Sequence, residues 1–436
     1  MFSCCCWRGK VASADTSPSD LLRALVTVAF RAGYTMESLR ATTVFDKLVD
    51  KKGETARFAV DVVTLADIII QGVAERIVED AFPPLKGRVY GEEEEKSGVE
   101  DYKSPSTWKR ADRETAHGIL HKTIFSPLED GDAAAADADA VVSGIFDPVD
   151  DAAWTDDILR DVYARLDALA DSHPSLFADP CLWMDPLDAT NEYAEIADTR
   201  SGLSNAPGES AAGKPSGIAR AHSGADVLGR LNHAEKQNRR SSAVDLLAPA
   251  EPPAETAAAA DPIGRLKAVC FVCGVFDRAT GVPLAGVVHQ PFGKTLLWGV
   301  SAGPLKASNV SPARPLERQK PRIVLSRADS EDIADLLKDE FELDFVAGCG
   351  YKLLNVIEGE ADAFALVKGS AYMWDTCGGH AVLLAMGGDI ISVKTMQSIT
   401  YSTNRQKAQH TNGFVAFTNP DIGKRVAQLL QPLFKK

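Results

Sequence analysis

The stretch WMDPLDATNEYA, residues 183–194, sets two carboxylates, Asp185 and Asp188, around a proline, directly behind the apolar run Cys181, Leu182, Trp183 and Met184. Acidic side chains at the end of a buried strand are costly unless something cationic meets them. Pro186 fixes φ and stiffens the loop that presents them. The loop offers two carboxylates and the Leu187 carbonyl on one side. Ala189 and Thr190 follow at an expected helix N-terminus, where exposed N–H groups suit a phosphate oxygen. A metal cradle would then adjoin an anion cradle, which is the equipment of metal-assisted phosphate ester hydrolysis.

Three further acidic clusters stand where strands meet loops or helices. Asp67 opens a helix that starts near Thr64, Glu92 and Glu93 follow the strand-like Val89–Tyr90, and Asp375 lies in MWDTC just before a helix. Each has a plain explanation alone. Asp67 and Asp375 suit the first turn of a helix, where the dipole favours acids. EEEE is the composition of a solvated charge run, and D-P-x-D makes an ordinary turn. The chain carries its own control in FDPVDD, residues 146–151, where Ala152 stands at the place of Thr190. Taken together, oxygen-only donors without a histidine partner suit a hard cation such as Mg²⁺.

The 436 residues are enough for one large domain or two smaller ones with a sizeable core. A formal charge of −14 makes the chain a poor general nucleic-acid binder. An anionic substrate would need metal ions or a local basic cluster to reverse that field. No apolar run is long enough to span a bilayer, and the N-terminus lacks the apolar core of a signal peptide. Of eight cysteines, three are consecutive (Cys4, Cys5 and Cys6) and five are scattered (Cys181, Cys270, Cys273, Cys349 and Cys377). That is no disulfide framework, and a reducing, cytoplasmic setting is expected. Cys270 and Cys273 form a CxxC within the strand-like AVCFVCGVF, so they point to opposite faces and read as core, not as a metal site. The CCCWRGK start has Arg8 and Lys10 beside thiols that could be S-acylated, whereas Phe2 excludes N-myristoylation. A disordered tail is the preferred reading, with no stable membrane insertion, and a monomer is favoured.

Apolar spacing predicts helices over 18–45 and from Thr64 to Phe82, the second ended by Pro83–Pro84. Residues 101–175 are expected to hold one or two helices and loops. Two strands joined by a turn at Asp277–Gly281 are expected in LKAVCFVCGVFDRATGVPLAGVVHQPF. PRIVLSR and FALV read as strands. SEDIADLLKDEF, CGGHAVLLAMGG (ended by Gly387) and Asp421–Leu430 read as helices. Residues 197–262 hold few large apolar residues and read as a flexible, low-complexity insertion. The expected organisation is a disordered tail (1–17), an α+β metal-site subdomain (18–196 plus 263–300), the insertion, and an α/β subdomain (301–436). Strands mixed with helices over the whole length predict layered α and β.

The ordered set TLAD (64–67), YGEE (90–93), DPLDAT (185–190) and WDTCGGHA (374–381) resembles the lithium-sensitive, Mg²⁺-dependent phosphatase superfamily, which includes the inositol monophosphatases. RFAVDVVTLADIIIQ, GVFDRATGVPLAGVVHQPF, AGCGYK and WDTCGGHAVLLAMGG are most similar to its inositol polyphosphate 1-phosphatase branch. The resemblance covers most of 50–95, 180–195 and 265–434. It implies an αβαβα five-layer sandwich and two Mg²⁺ ions, with room for a third near Glu92. One ion would be held by Glu92, Asp185 and the Leu187 carbonyl, and a second by Asp185, Asp188 and Asp375, with Glu93 supporting the network. Asp67 would orient Thr190, the pair helping to activate a water for in-line attack on phosphorus. The N–H groups of Ala189 and Thr190 would grip the phosphate. The inositol and its other phosphates would fall to Ser326, Arg327, the Gly348–Cys349–Gly350 backbone and Lys352, beside Asp188 and Asp375. Leu187 and Ala189, and Ala328 and Ser330 in place of a Ser/Lys pair, depart from that branch. DPLDATNEY leans toward the 3'(2'),5'-bisphosphate nucleotidase branch, whereas His380, GYK and TLAD favour the polyphosphatase. The rival of another class is a catalytically dead scaffold using 197–262 as an arm. Intact Asp67, Glu92, Asp185, Asp188, Thr190 and Asp375 argue against it.

Overall fold

The computed structural model describes residues 17–42, 44–53, 61–94, 101–147, 157–173, 175–194, 265–310, 318–326 and 330–434. The expected tail, the insertion 197–262, Arg327, Ala328 and most of the FDPVDD control lie outside these residues. The described elements are α1 (Pro18–Ala41), β1 (Val49–Gly53), β2 (Asp61–Thr64), α2 (Leu65–Ala81), β3 (Val89–Gly91), α3 (Pro105–Arg110), α4 (Arg113–Gly118), α5 (Gly131–Phe146), α6 (Asp157–Ser172), β4 (Pro180–Asp188), β5 (Cys270–Asp277), β6 (Pro283–Gln290), β7 (Thr295–Ala302) and β8 (Leu305–Ser308). They continue with β9 (Arg322–Leu325), α7 (Ser330–Leu337), β10 (Glu342–Phe345), α8 (Cys349–Glu358), β11 (Ala363–Leu366), α9 (Met373–Met386), β12 (Asp389–Ser392), β13 (Phe414–Phe417) and α10 (Pro420–Leu430). Among the described residues no helix is long and apolar enough to cross a membrane.

Side-chain alternation assigns the layers. One sheet runs β3-β4-β5-β6-β7-β8, parallel at β3–β4 and antiparallel elsewhere. Leu182, Met184, Phe271, Cys273 and Val287 bury against α1 and α2, with α5 packed on α1. Cys270, Val272 and Val288 face the other way, into a core shared with Leu353 of α8 and Val382 of α9. Cys270 and Cys273 therefore serve two different cores, as period-2 geometry requires. The second sheet runs β10-β9-β11-β13-β12. Its Phe364, Phe414 and Ala416 close the α8–α9 core, while Ala363, Ala365 and Val415 meet α7 and α10 on the far face. The order is thus α, β, α, β, α, the expected five layers. The six-stranded sheet runs on to Ser308, so the boundary placed at 300–301 falls inside β7.

The segment 101–175 holds more helix than expected. Ala134, Ala138, Val141, Val142 and Ile145 of the Ala/Asp-rich stretch recur at helical spacing and are buried, so small residues suffice for α5 to pack on α1. Helix α1 stops at Ala41, short of the expected 45, because Thr42 turns extended and its hydroxyl donates to the Leu39 carbonyl at 2.7 Å.

Helix α9 lies almost backbone-to-backbone on β5 and β6. A Cβ on Gly274 would sit 2.4 Å from the Cys377 carbonyl carbon, and one on Gly286 2.4 Å from the Gly378 oxygen. A Cβ on Gly378 would meet the Cys273 oxygen at 2.6 Å. These glycines fix how far Asp375, one turn before Gly378, stands from the sheet. Gly286→Ala is expected to lower stability by about 1–3 kcal/mol in denaturant melts, the usual cost of overpacking; unchanged stability would contradict backbone contact here.

On the opposite face His289 of β6 places Nδ1 2.6 Å from the Ala29 carbonyl oxygen of α1. Burial pushes this imidazole down to about 4, the Ala29 carbonyl pulling weakly the other way. The unfolded chain takes up the proton below about 6.5, the folded one only near 4, so stability is lost as pH falls through that window. Unfolding free energies at pH 7 and pH 4.5 should show His289→Gln losing less than the unsubstituted protein, by roughly 2–3 kcal/mol at the limit.

Candidate metal and phosphate site

Strands β3 and β4 are parallel neighbours, with Gly91 opposite Met184. The residues that follow, Glu92 and Asp185, are therefore set side by side, Asp185 still paired with Val272 of β5. The β4–β5 register slips between Asp185 and Asp188. This bulge holds Pro186 where a proline costs no ladder bond. The Leu187 N–H turns back to Asp185 Oδ1 at 3.0 Å, and the Thr190 hydroxyl donates to the Leu187 carbonyl at 2.9 Å. Ala189 has φ 68°, a left-handed conformation that costs a residue with a Cβ about 1–2 kcal/mol. The chain then enters a helical turn at 190–194, whose first N–H groups have no intrahelical acceptor. Tyr193 anchors that turn to α1, donating its hydroxyl to the Met36 carbonyl at 2.7 Å and accepting Arg40 Nη1 on its own carbonyl at 2.9 Å.

Helix N-termini bring the other groups. Asp375 sits in the first turn of α9, accepting the Tyr372 N–H at 2.5 Å. Asp188 accepts the Cys349 and Gly350 N–H groups that open α8, at 3.1 and 2.7 Å. One oxygen from each of Asp185, Asp188 and Asp375 lies within 4.8 Å of the others, and all three residues are buried. Burial, then the charges of Glu92, Asp188 and Asp375, push the Asp185 carboxyl well above the usual carboxylate range. Among the described residues no Lys or Arg pairs with Asp185 or Asp188. Buried, mutually repelling, oxygen-only donors fit a hard divalent cation and little else.

Glu93 is buried, and its backbone is gripped at both ends by Gln71 of α2. The Glu93 N–H donates to Gln71 Oε1 at 2.8 Å, and Gln71 Nε2 donates to the Glu93 carbonyl at 2.7 Å. Gly91 makes room for this clasp, since a Cβ there would lie 2.1 Å from Gln71 Oε1. Gln71 belongs to TLADIIIQ, and its polarity on a buried helical face is the one signal that could have revealed it.

Four expectations meet a different arrangement. Asp67 is buried at the start of α2, but its Oδ2 accepts the Thr64 N–H at 2.7 Å and hydroxyl at 2.8 Å. Thr190 is bonded to Leu187, not to Asp67. The Cys349 and Gly350 N–H groups, expected on a substrate phosphate, hold Asp188. Lys352 is neither a surface lysine nor a free cation. It is 1% exposed, donates to the Val346 carbonyl at 3.1 Å and lies 5.2 Å from the Phe364 ring centre. Asp67, Thr190 and Lys352 are satisfied by partners a few residues away, whereas the Cys349 and Gly350 N–H groups meet Asp188, remote in the chain. Ser326 follows directly after β9 and is buried.

Residues 263–430 match the model described as the inositol monophosphatase family. The chain is a phosphatase with a layered α/β fold. It is 27% identical to inositol polyphosphate 1-phosphatase of Mus musculus, over 86% of this chain and 84% of that protein. It is 29% identical to 3'(2'),5'-bisphosphate nucleotidase 1 of Dictyostelium discoideum, over 35% of this chain and 54% of that one. The solved inositol monophosphatase of Thermotoga maritima superposes with a TM-score of 0.48 at 10% identity, covering 95% of this chain and 98% of that one.

Asp188→Asn keeps an acceptor for one of the two α8 N–H groups but removes a charge from the cluster. It should abolish Mg²⁺-dependent phosphate release, beyond the about 10–100-fold that follows loss of an outer-shell partner, with far-UV circular dichroism unchanged. Full activity in this variant would remove Asp188 from the site.

Proposed function

We propose that this chain is a Mg²⁺-dependent, Li⁺-inhibited phosphomonoesterase that removes the 1-phosphate from inositol 1,4-bisphosphate, inositol 1,3,4-trisphosphate or both. The convergence of Asp185, Asp188 and Asp375 at one buried point carries the reading, and likeness to the mouse polyphosphatase along most of both chains chooses the substrate class. Glu92, Asp185, the Leu187 carbonyl, Asp188 and Asp375 would hold two Mg²⁺ ions, with Glu93 in support. Bound there, the ions supply Lewis-acid stabilisation of charge on the attacking and leaving oxygens.

The protein's own groups do the rest. The bulge at Pro186 fixes the direction of Asp185 and Asp188. The N–H groups of Ala189 and Thr190, at the mouth of a helical turn, receive phosphate oxygens. The Thr190 hydroxyl, now on the Leu187 carbonyl, would exchange that partner for the attacking water, with Asp67 the acid we assign to orient it. Gly348, Cys349, Gly350 and Lys352 support the substrate pocket through Asp188 and the start of α8. Ser326 and Arg327 are the side chains we assign to direct substrate contact.

DPLDATNEY favours a second reading, a 3'(2'),5'-bisphosphate nucleotidase. Phosphate release from inositol 1,4-bisphosphate and from 3'-phosphoadenosine 5'-phosphate, each with Mg²⁺ and with or without Li⁺, separates the two. The polyphosphatase reading expects faster release from the inositol and its suppression by Li⁺. Preference for the nucleotide would overturn the substrate assignment, and release from neither would overturn the phosphatase itself.

A further inference from the structure

Strands β12 and β13 are antiparallel neighbours, yet residues 393–413 join them, where a hairpin needs only about 2–5 residues. The loop is firmly attached to the layer carrying Asp375. The Tyr401 hydroxyl donates to Thr376 Oγ1 at 3.1 Å and lies 3.2 Å from His380 Nδ1. His410 Nε2 lies 2.8 Å from the same Thr376 hydroxyl. The backbone adds Met373 N–H to the Ala408 carbonyl and His410 N–H to the Ala371 carbonyl, both at 2.9 Å. Trp183, two residues before Asp185, donates Nε1 to the Ser402 carbonyl at 2.9 Å.

From this strap one side chain reaches the third carrier of the carboxylates. Arg405 donates Nη1 to the Gly91 carbonyl at 2.5 Å, Nη2 to the Glu92 carbonyl at 2.8 Å and Nε to Glu94 Oε1 at 2.7 Å. Its guanidinium carbon lies 5.7 Å from the ring centres of both Trp183 and Trp374, the residue before Asp375. A single planar group therefore touches the backbone of Glu92, the aromatic ring behind Asp185 and the one beside Asp375.

We propose that Arg405 is a positioning residue for the metal site. It clamps the Glu92 arm against β4 and α9, so that the Glu92 carboxylate stays beside Asp185 against their mutual repulsion. The guanidinium suits this task because its fixed fork spans two successive carbonyls while its faces meet aromatic rings. Lysine keeps the charge but offers one compact ammonium in place of the planar fork. The inference rests on the cation reading of the Asp185–Asp188–Asp375 cluster.

The test is Mg²⁺ titration calorimetry on the full chain, unsubstituted and as Arg405→Lys, with denaturant melts of both in chelator and phosphate release as a function of Mg²⁺. Arg405→Lys should bind Mg²⁺ about 10–100-fold more weakly, with an unchanged melting midpoint in chelator. Its turnover at saturating Mg²⁺ should approach that of the unsubstituted protein, with half-activation moved to higher Mg²⁺. Glu94→Gln loses the outer anchor but keeps both carbonyl bonds, and should show a smaller shift in the same direction. Unchanged Mg²⁺ affinity in Arg405→Lys overturns the proposal, as does a weaker affinity matched by a lowered chelator midpoint, which would make the residue merely structural. No heat from Mg²⁺ with the unsubstituted protein would overturn the cation reading itself, and this proposal with it.

Discussion

Three buried carboxylates, Asp185, Asp188 and Asp375, share one small volume, with no cationic side chain among the described residues paired to Asp185 or Asp188. Charges this close in a poorly hydrated place repel strongly, and folding would avoid them unless the backbone fixed them first. The backbone does so through helix N-termini. The opening N–H groups of α8 hold Asp188, and the first turn of α9 holds Asp375. Such ends carry roughly half a positive charge each, which offsets part of the repulsion without consuming it. The remainder is available to a divalent cation.

This requirement accounts for much of the architecture. The carboxylates come from the ends of β3 and β4 and from α9, and α8 supplies the N–H groups that hold Asp188, so elements separated by long stretches of chain meet at one point. Glycines 274, 286 and 378 set the height of α9 over the sheet to the thickness of bare backbone. Gln71 and Gly91 tie the Glu93 backbone to α2, and residues 393–413 tie the Glu92 arm to the opposite side. Scaffold and site are one construction, since each close contact in the layers sets a ligand's position.

Much of this was legible in the sequence. Asp185, Asp188 and Asp375 stood out because acids beside apolar runs need a reason, and layered α and β followed from strands and helices mixed along the chain, the five-layer order coming only with the family resemblance. The opposite faces of Cys270 and Cys273 followed from strand periodicity alone. What escaped notice was set by partners remote in the chain. Arg405 lies 311 residues from Glu94 and carries no local signature. Lys352 looked like a phosphate ligand because a lysine beside glycines usually faces solvent, yet helix α8 turns it toward Val346 and Phe364. The loop N–H groups suited an anion, as read, but the anion they bind is Asp188. The helix content of 101–175 was underestimated because an alanine stripe such as that of α5 looks weakly apolar in composition but packs closely against another helix.

The most direct test of this account is the stability of the protein in chelator and in Mg²⁺, for the unsubstituted chain and Asp185→Asn. A carboxyl whose pKa is raised by folding costs stability at neutral pH, where the unfolded chain carries the charge freely and the folded one does not. Asparagine removes that cost and keeps an acceptor for the Leu187 N–H. The account predicts that Asp185→Asn is the more stable protein in chelator, and that Mg²⁺ stabilises the unsubstituted chain far more than the variant. A less stable Asp185→Asn in chelator, together with an unsubstituted protein indifferent to Mg²⁺, would contradict it.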